Sequence, residues 1–141
     1  NDVNFDKKIV NLQELQPNSL EEFTSISCLH VLDHIGLAKY GDKVEMEGHY
    51  NSLSRLYYAT NDDCVFFISY PIAKKAGVYF NSGRKLSGLQ SLSKIKSIGF
   101  TIDTINLVNT KSGQFLENVT EDEIENTDTG CLILKMRKKN D

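Results

Sequence analysis

The segment "CVFFISY", Cys64 to Tyr70, decides the fold class of this chain. It is apolar almost without interruption, whereas a strand with one face in water alternates polar and apolar residues. A continuous apolar run is typical of a strand covered on both faces, as in a parallel sheet with helices packed against it. The turn formers Asn61, Asp62 and Asp63 directly before it separate this strand from the preceding segment.

A helical pattern lies on each side of this strand. From Met46 to Thr60 apolar residues recur at intervals of three and four, which predicts an amphipathic helix. Ser87 to Ile98 repeats that spacing, and Gly99 follows it as a helix stop. Helices that alternate with buried strands predict βαβ crossovers and a mainly parallel sheet. His49 is expected to be a solvated residue of the first helix.

The rest of the chain supplies the other predicted strands and loops. A polar turn or a helical turn is predicted at Ser19–Thr24, and the last two strands are expected to pair as an antiparallel hairpin. Between them Lys111–Gly130 has six carboxylates and is predicted as a long loop, with Glu117–Asp128 as a flexible solvated tip. We therefore predict one α/β, Rossmann-like domain over residues 1–141. The further strands are predicted at Lys8–Leu12, Ser25–Leu32, Phe100–Val108 and Cys131–Met136.

The composition argues against a nucleic-acid partner and a membrane partner, and it indicates a reducing compartment. The net charge of −3 argues against a nucleic-acid partner, because phosphate contacts need a concentrated basic face. No apolar run approaches the roughly 20 residues that a membrane helix needs, so no membrane partner is expected. The three cysteines are odd in number, widely separated and set in apolar runs. They are typical of buried free thiols in a reducing compartment, and we predict a cytoplasmic protein.

The segment "LHVLDHIGLAKYGD", Leu29 to Asp42, places ionisable residues at a predicted strand tip before a glycine-punctuated loop. Parallel sheets bind ligands beyond the carboxyl ends of their strands, so this loop is the predicted site. His34 has the chemistry of a general base, and Asp33 that of its orienting partner or a cofactor contact. The simpler alternative is that Asp33 caps a helix or a turn and His34 is a surface side chain. We expect no metal, because the four-residue spacing of His30 and His34 suits a helix and not a strand.

The order of elements resembles the second half of a class I S-adenosylmethionine-dependent methyltransferase. The segments "SISCLHVLDHIGLAKYGD", "FFISYP" and "FNSGRK" are similar to an uncharacterised methyltransferase-like family. Members of that family carry a strand ending in Glu-His, the loop Ile-Gly-Leu-Gly-Arg-Tyr-Gly-Asp, a strand ending in Val-Pro, and the segment Phe-Asn-x-His-Arg. The resemblance covers roughly Lys8 to Val108.

The resemblance implies roles for the residues that match. S-adenosylmethionine is the implied cofactor, and the implied substrate is a sugar or glycan precursor. His34 and Asp33 would be catalytic, and His30 with Asp33 would contact the cofactor. The substrate-binding residues would be Lys39 and Arg84 on anionic groups, Tyr40 and Asn81 on sugar hydroxyls, and Asp42 beside them.

Several positions depart from the family pattern. Asp33 replaces Glu, Ala38 and Lys39 replace Gly-Arg, and Gly83 replaces the His of the last segment. The glycine-rich turn and the acidic residue that hold the cofactor in the first half of such a fold do not occur in this sequence.

Three hypotheses stay open on the sequence. The first is the carboxyl-terminal portion of a methyltransferase acting on a sugar or glycan precursor, with the cofactor half cut away or supplied elsewhere. The second is a degenerate, non-catalytic binding or assembly module, and the third is another α/β enzyme such as part of a sugar-nucleotide transferase. In the complete fold the strand Ser25–Leu32 is central, so its edge is expected to be bare here. We expect either Lys8–Leu12 to cover that edge or the chain to form a dimer or larger assembly.

Overall fold

The computed structural model describes residues 9–79 and 83–138, and it contains seven strands and three α-helices within those ranges. The strands are β1 Ser25–Leu29, β2 Val65–Ala73, β3 Gly77–Tyr79, β4 Gly83–Lys85, β5 Phe100–Asn109, β6 Phe115–Leu116 and β7 Thr129–Lys138. The helices are α1 Gly48–Ala59, α2 Gly88–Ile98 and α3 Glu121–Glu125, and a 3-10 turn spans Leu32–His34. None of the helices in the described ranges is long and apolar enough to cross a membrane.

The main sheet has the strand order β1-β2-β7-β5-β6. β1 and β2 are parallel, and β7 lies antiparallel between β2 and β5. Three of the four long strands, β1, β2 and β5, therefore run in one direction, and β7 runs against them. This arrangement confirms the predicted α/β class and the predicted antiparallel pairing of the last two long strands. The short strands β3 and β4, which the sequence did not indicate, form a separate antiparallel ribbon.

One face of the sheet forms the core with α1 and α2. Phe66, Ile68 and Tyr70 of β2 lie on this face and are at most 1% exposed. The Tyr70 hydroxyl is 2.8 Å from the Ser91 hydroxyl of α2, so the buried phenol has a hydrogen-bond partner. The predicted strand Cys64–Tyr70 is confirmed, and it continues to Ala73.

Both predicted long helices are confirmed, with ends that differ by one or two residues. α1 begins at Gly48 and α2 ends at Ile98 before Gly99, whose φ is +127°. A Cβ at Gly99 would lie 2.9 Å from the Tyr57 ring, so both the backbone and the packing require glycine there. The prediction of a solvated His49 was wrong, because this residue of α1 is 5% exposed and its ring lies 4.0 Å from that of Tyr50, between centroids.

β1 ends three residues earlier than predicted. Its last ladder pair is Leu29 with Ser69, and His30 still donates its N–H to the Ser69 carbonyl. The next bond of a parallel ladder would need an N–H from Pro71, which proline lacks. The ladder therefore stops, and the chain turns into the 3-10 turn that carries Asp33 and His34.

The predicted strand Lys8–Leu12 is absent over residues 9–12, and Lys8 lies outside the described residues. Asn11 accepts the N–H of Gln13 on its side-chain oxygen at 3.0 Å and the N–H of Glu14 on its carbonyl. This turn ends the extended run, because short polar side chains that bond to the nearby backbone favour turns. Leu12 packs against the core without pairing its backbone in a sheet.

The prediction of a flexible acidic loop was also wrong. Residues 111–130 include β6 and α3, and Thr120 with Glu123 forms a capping box at the start of α3. Val119 and Ile124 are 9% and 3% exposed, so the segment buries apolar side chains of its own. Six carboxylates surround these two anchors without preventing the segment from ordering.

Candidate functional site

A cleft of about 690 Å³ opens at the carboxyl end of β1. Residues 10–13 form one wall. The opposite wall belongs to the chain that leaves β1 and to the loop that follows it. Its residues are His30, Val31, His34, Ile35, Tyr40 and Asp42. This is the edge of the sheet where the sequence predicted a site, because it lies beyond the carboxyl end of β1, which runs parallel to β2.

His30 is the first residue beyond β1, and its backbone has a φ of +53°. Its side chain is exposed at the cleft. The Nε2 atom lies 3.2 Å from the Sγ atom of Cys131 in β7. His30 is therefore tied to β2 through its backbone and to β7 through its ring.

Asp33 and His34 form a close carboxylate–imidazole pair on the 3-10 turn. Asp33 Oδ2 is 3.3 Å from His34 Nε2, and Asp33 is 2% exposed. The second oxygen of Asp33, Oδ1, and the Nδ1 atom of His34 are buried without a hydrogen-bond partner in the described part of the chain. The His34 ring is partly exposed and makes an edge contact with Tyr40 at 6.0 Å between centroids.

Gly83 packs directly on His34. Its φ is +86°, and a Cβ at this position would lie 2.8 Å from two atoms of the imidazole ring. The family that the sequence resembles has His at this position, and no such side chain fits here unless His34 moves. Gly83 is therefore part of the site's geometry, although the sequence alone marked it only as a departure.

The loop after His34 is closed by Asp42. Its carboxylate accepts the N–H of Gly36 at 2.7 Å and that of Tyr40 at 3.2 Å. Desolvation acts to raise the pKa of Asp42, but these backbone hydrogen bonds outweigh it and lower that pKa below its ordinary value. Ala38 has a φ of +57° at the position where the resembled family has glycine, so it keeps the left-handed turn with an added methyl group.

Glu45 anchors the far end of the loop to α1 and to the amino-terminal wall. It accepts hydrogen bonds from Arg55 at 3.0 Å, Asn51 at 2.7 Å and Gln13 at 3.3 Å. The hydrogen bonds from Arg55 and Asn51 lower the pKa of Glu45. The sequence did not identify Glu45 or Gln13, because neither stands in a motif and they meet only in the folded chain.

Arg84 lies behind the loop, with its side chain almost fully buried. Its guanidinium donates to the carbonyl oxygens of Ile35 at 2.7 Å and Met46 at 3.1 Å. Burial, followed by the charge of Arg84, lowers the pKa of His49 to about 4, which keeps this imidazole neutral. The structure thus gives Arg84 backbone partners on both ends of the loop, whereas the sequence predicted an anionic substrate.

The structure brings five of the predicted site residues together. His30, Asp33, His34, Tyr40 and Asp42 meet at or just behind the cleft. Tyr40 is 74% exposed at the rim, and the Lys39 ammonium lies 5.8 Å from its ring centroid. The prediction for Asn81 falls outside the described residues. Cys131 is an addition, and nothing in its sequence context indicated it.

Comparison with solved structures gives the class of fold. The cyclase SpnF aligns with a TM-score of 0.60 and 14% identity, covering 95% of this chain and 57% of its own. The Burkholderia thailandensis 1,6-didemethyltoxoflavin-N1-methyltransferase, solved with bound S-adenosylhomocysteine, aligns with a TM-score of 0.60 and 16% identity, covering 93% and 49%. A putative S-adenosylmethionine-dependent methyltransferase from Listeria monocytogenes aligns with a TM-score of 0.53 and 9% identity, covering 92% and 67%.

This chain therefore has a class I S-adenosylmethionine-dependent methyltransferase-like fold. No family model and no curated protein sequence matches it. The chain spans about half to two thirds of the length of these solved structures. One of them is a cyclase, so the likeness establishes the fold and leaves the reaction to be argued from the site.

Proposed function

We propose that this chain is part of an S-adenosylmethionine-dependent methyltransferase and supplies one wall of the cofactor site. The observation that carries the proposal is the cleft at the carboxyl end of β1, with His30 and His34 in its wall and Asp33 directly behind them. Ligands of open α/β sheets bind beyond the carboxyl ends of the strands, and this cleft is in that place.

The side chains of the cleft fit part of the cofactor. Val10, Leu12, Val31 and Ile35 offer an apolar wall of the kind that an adenine ring packs against. His30 lies in the cleft wall as a hydrogen-bonding group. Among the described residues no group bonds to the buried Oδ1 atom of Asp33, which suits a donor such as a hydroxyl or an ammonium. Because the sequence has no glycine-rich turn, the remaining groups of the cofactor need a second wall from another segment.

The bound cofactor would supply an electrophilic methyl group, and His34 would take the proton from the acceptor. Asp33 Oδ2 holds the imidazole at 3.3 Å and stabilises its charged form after proton transfer. In this structure Nε2 faces Asp33 and Nδ1 is buried, so the ring must rotate to present a nitrogen to the acceptor. The hydrogen bonds of a catalytic base commonly reach their working geometry only when the substrate is bound.

The acceptor that we propose is a sugar or glycan precursor, on the strength of the resemblance in the loop Asp33–Asp42. Tyr40 and Lys39 lie at the exposed rim, where an acceptor would enter. Asp42 would shape this rim by its hydrogen bonds to the loop backbone. Arg84 would act from behind the loop, and Asn81 is proposed as a hydroxyl contact.

Calorimetric titration with S-adenosylhomocysteine tests the cofactor proposal. We expect binding that is weaker than in a complete site, because this chain supplies one of two walls. Val31→Asp should weaken it further, because a carboxylate in the apolar wall opposes the adenine ring. The control Lys94→Ala changes an exposed residue of α2 and is expected to bind like the wild type. Absence of binding at millimolar ligand would contradict the proposal for this chain and favour the alternative, a non-catalytic binding or assembly module.

The catalytic proposal for His34 requires a complete protein with a second cofactor wall. In such a protein His34→Ala is expected to lower methyl transfer by about 100-fold or more, the usual contribution of a general base. Affinity for S-adenosylhomocysteine should change far less, because the variant keeps the other cleft residues. Full methyl transfer in His34→Ala would rule out the catalytic role.

A further inference from the structure

His30 and Cys131 form a side-chain pair across the sheet that the proposed function leaves unexplained. The two residues are 101 positions apart in sequence, and β2 lies between their strands. His30 Nε2 and Cys131 Sγ nevertheless approach to 3.2 Å. Cys131 is half-buried in β7, whereas the His30 ring is exposed at the cleft. The contact therefore joins the interior of the sheet to the wall of the proposed cofactor site.

The direction of this hydrogen bond follows from the chemistry of the two groups. Burial raises the pKa of the Cys131 thiol, and the negative charge of Asp33 raises it further, so sulfur keeps its proton. A thiol is a weak donor and a weaker acceptor, whereas a neutral imidazole nitrogen is a good acceptor. A second acceptor near Sγ, the Leu132 carbonyl oxygen, is farther away at 3.6 Å. The Cys131 thiol therefore donates its hydrogen bond to His30 Nε2.

A thiol donor at Nε2 determines where the imidazole carries its own proton. A neutral imidazole has one N–H and one acceptor nitrogen, so acceptance at Nε2 places the proton on Nδ1. The backbone of His30 is held as well, because its N–H bonds to the Ser69 carbonyl and its φ is +53°. An uncommon backbone conformation of this kind persists where the surrounding contacts determine it.

We propose that Cys131 is a positioning residue for His30, whose ring it holds at the cleft as the Nδ1–H tautomer, a donor to an acceptor atom of the bound ligand. This inference rests on the proposed function only in taking that ligand to be the cofactor. The tautomer itself is a property of the chain without any ligand.

Long-range ¹H–¹⁵N spectra of the full-length, ¹⁵N-labelled chain at a pH where the ring is neutral test the proposal. We expect His30 to show a protonated Nδ1 in the wild type and in Cys64→Ala, which removes a buried thiol at the residue before β2. Cys131→Ala should show mixed tautomers, and Cys131→Ser should retain more of the Nδ1–H form because a hydroxyl still donates. A protonated Nε2 in the wild type, or equal loss in the alanine and serine variants, would overturn the proposal.

The wild-type spectrum decides the tautomer even if a variant fails to fold. Affinity for S-adenosylhomocysteine gives the second measurement, and Cys131→Ala is expected to weaken it about three- to tenfold, the value of one ordinary hydrogen bond. If the wild type does not bind this ligand but shows Nδ1–H, the proposed function fails and the positioning role stands. If it binds but shows Nε2–H, the positioning role fails alone.

Discussion

Gly83 shows how one residue can determine the geometry of this site. A Cβ there would meet the His34 ring at 2.8 Å, and the φ of +86° is unfavourable for any other residue. We expect Gly83→Ala to lower the free energy of unfolding by roughly 1–3 kcal/mol, the usual cost of such a conformation. Denaturant unfolding measures this change.

Gly77 provides the matched control for that substitution. It lies in β3, the partner strand of β4, and a Cβ there would meet no atom within 4 Å. Gly77→Ala is therefore expected to leave stability nearly unchanged. Equal effects of the two alanine substitutions would contradict the role that we assign to Gly83.

Asp42 gives the loop a dependence on pH. Because folding lowers its pKa below the ordinary 3.8, its contribution to stability is fully present above that value and is lost as pH falls through the folded-state pKa. We expect wild-type stability to fall more steeply than that of Asp42→Asn when pH is lowered from about 5 to 2. Urea unfolding at a series of pH values measures this difference. If the unfolding free energy of the two proteins falls with the same slope as pH is lowered, the Asp42 carboxylate does not hold the loop.

At the residue scale, sequence reasoning could find the residues that lie together in a motif. His30, Asp33, His34, Tyr40 and Asp42 come from one contiguous segment, and they meet at the cleft. Contacts between distant segments leave no local pattern. Cys131 and Gln13 were missed for that reason, as was the burial of Arg84 behind the loop.

At the scale of elements, α3 was missed although its sequence carried a signal. Thr120 and Glu123 have the spacing of a capping box, and the structure contains both of its reciprocal hydrogen bonds. Thr120→Ala should lower the free energy of unfolding by about 1 kcal/mol, the typical value of a helix cap. Thermal unfolding of this variant, beside Glu121→Gln as a control that keeps the cap, measures the loss. No change in Thr120→Ala would mean that Val119 and Ile124 alone hold the segment.

The long elements were predictable because their patterns are extended and regular. The helical stripes of α1 and α2 and the apolar run of β2 each cover many residues, so periodicity determines them. The carboxyl end of β1 was not predictable from its own residues. It depends on Pro71 in the neighbouring strand, which has no N–H to continue the ladder.

At the scale of the whole molecule, β1 is an edge strand among the described residues. The His30 N–H donates to β2, and the Thr24 carbonyl accepts an N–H from β2. Because alternate residues of a parallel strand bond to the same neighbour, the N–H and C=O groups of Ser25, Ser27 and Leu29 point outward. No charged residue, proline or bulge protects Ser25–Leu29. Such an edge favours pairing with another strand, and we propose that this chain forms a homo-oligomer or pairs with a missing amino-terminal half.

Sedimentation across micromolar concentrations tests association between copies. We expect a dimer or larger species in the wild type and a monomer in Ser27→Pro, which removes an outward N–H that β2 does not use. Circular dichroism should show that the variant keeps its fold. A wild type that stays monomeric throughout would exclude edge pairing between copies.

The central claim is that the cleft at the carboxyl end of β1 is a cofactor site in a methyltransferase-like fold. Amide chemical shifts of the ¹⁵N-labelled chain, followed during titration with S-adenosylhomocysteine, test it most directly. We predict that the largest changes fall on residues 10–13 and 30–42, which line the cleft or form its loop. Changes confined to residues far from the cleft, such as Leu92 of α2 and Glu121 of α3, would contradict the claim. No changes at millimolar ligand would contradict it as well.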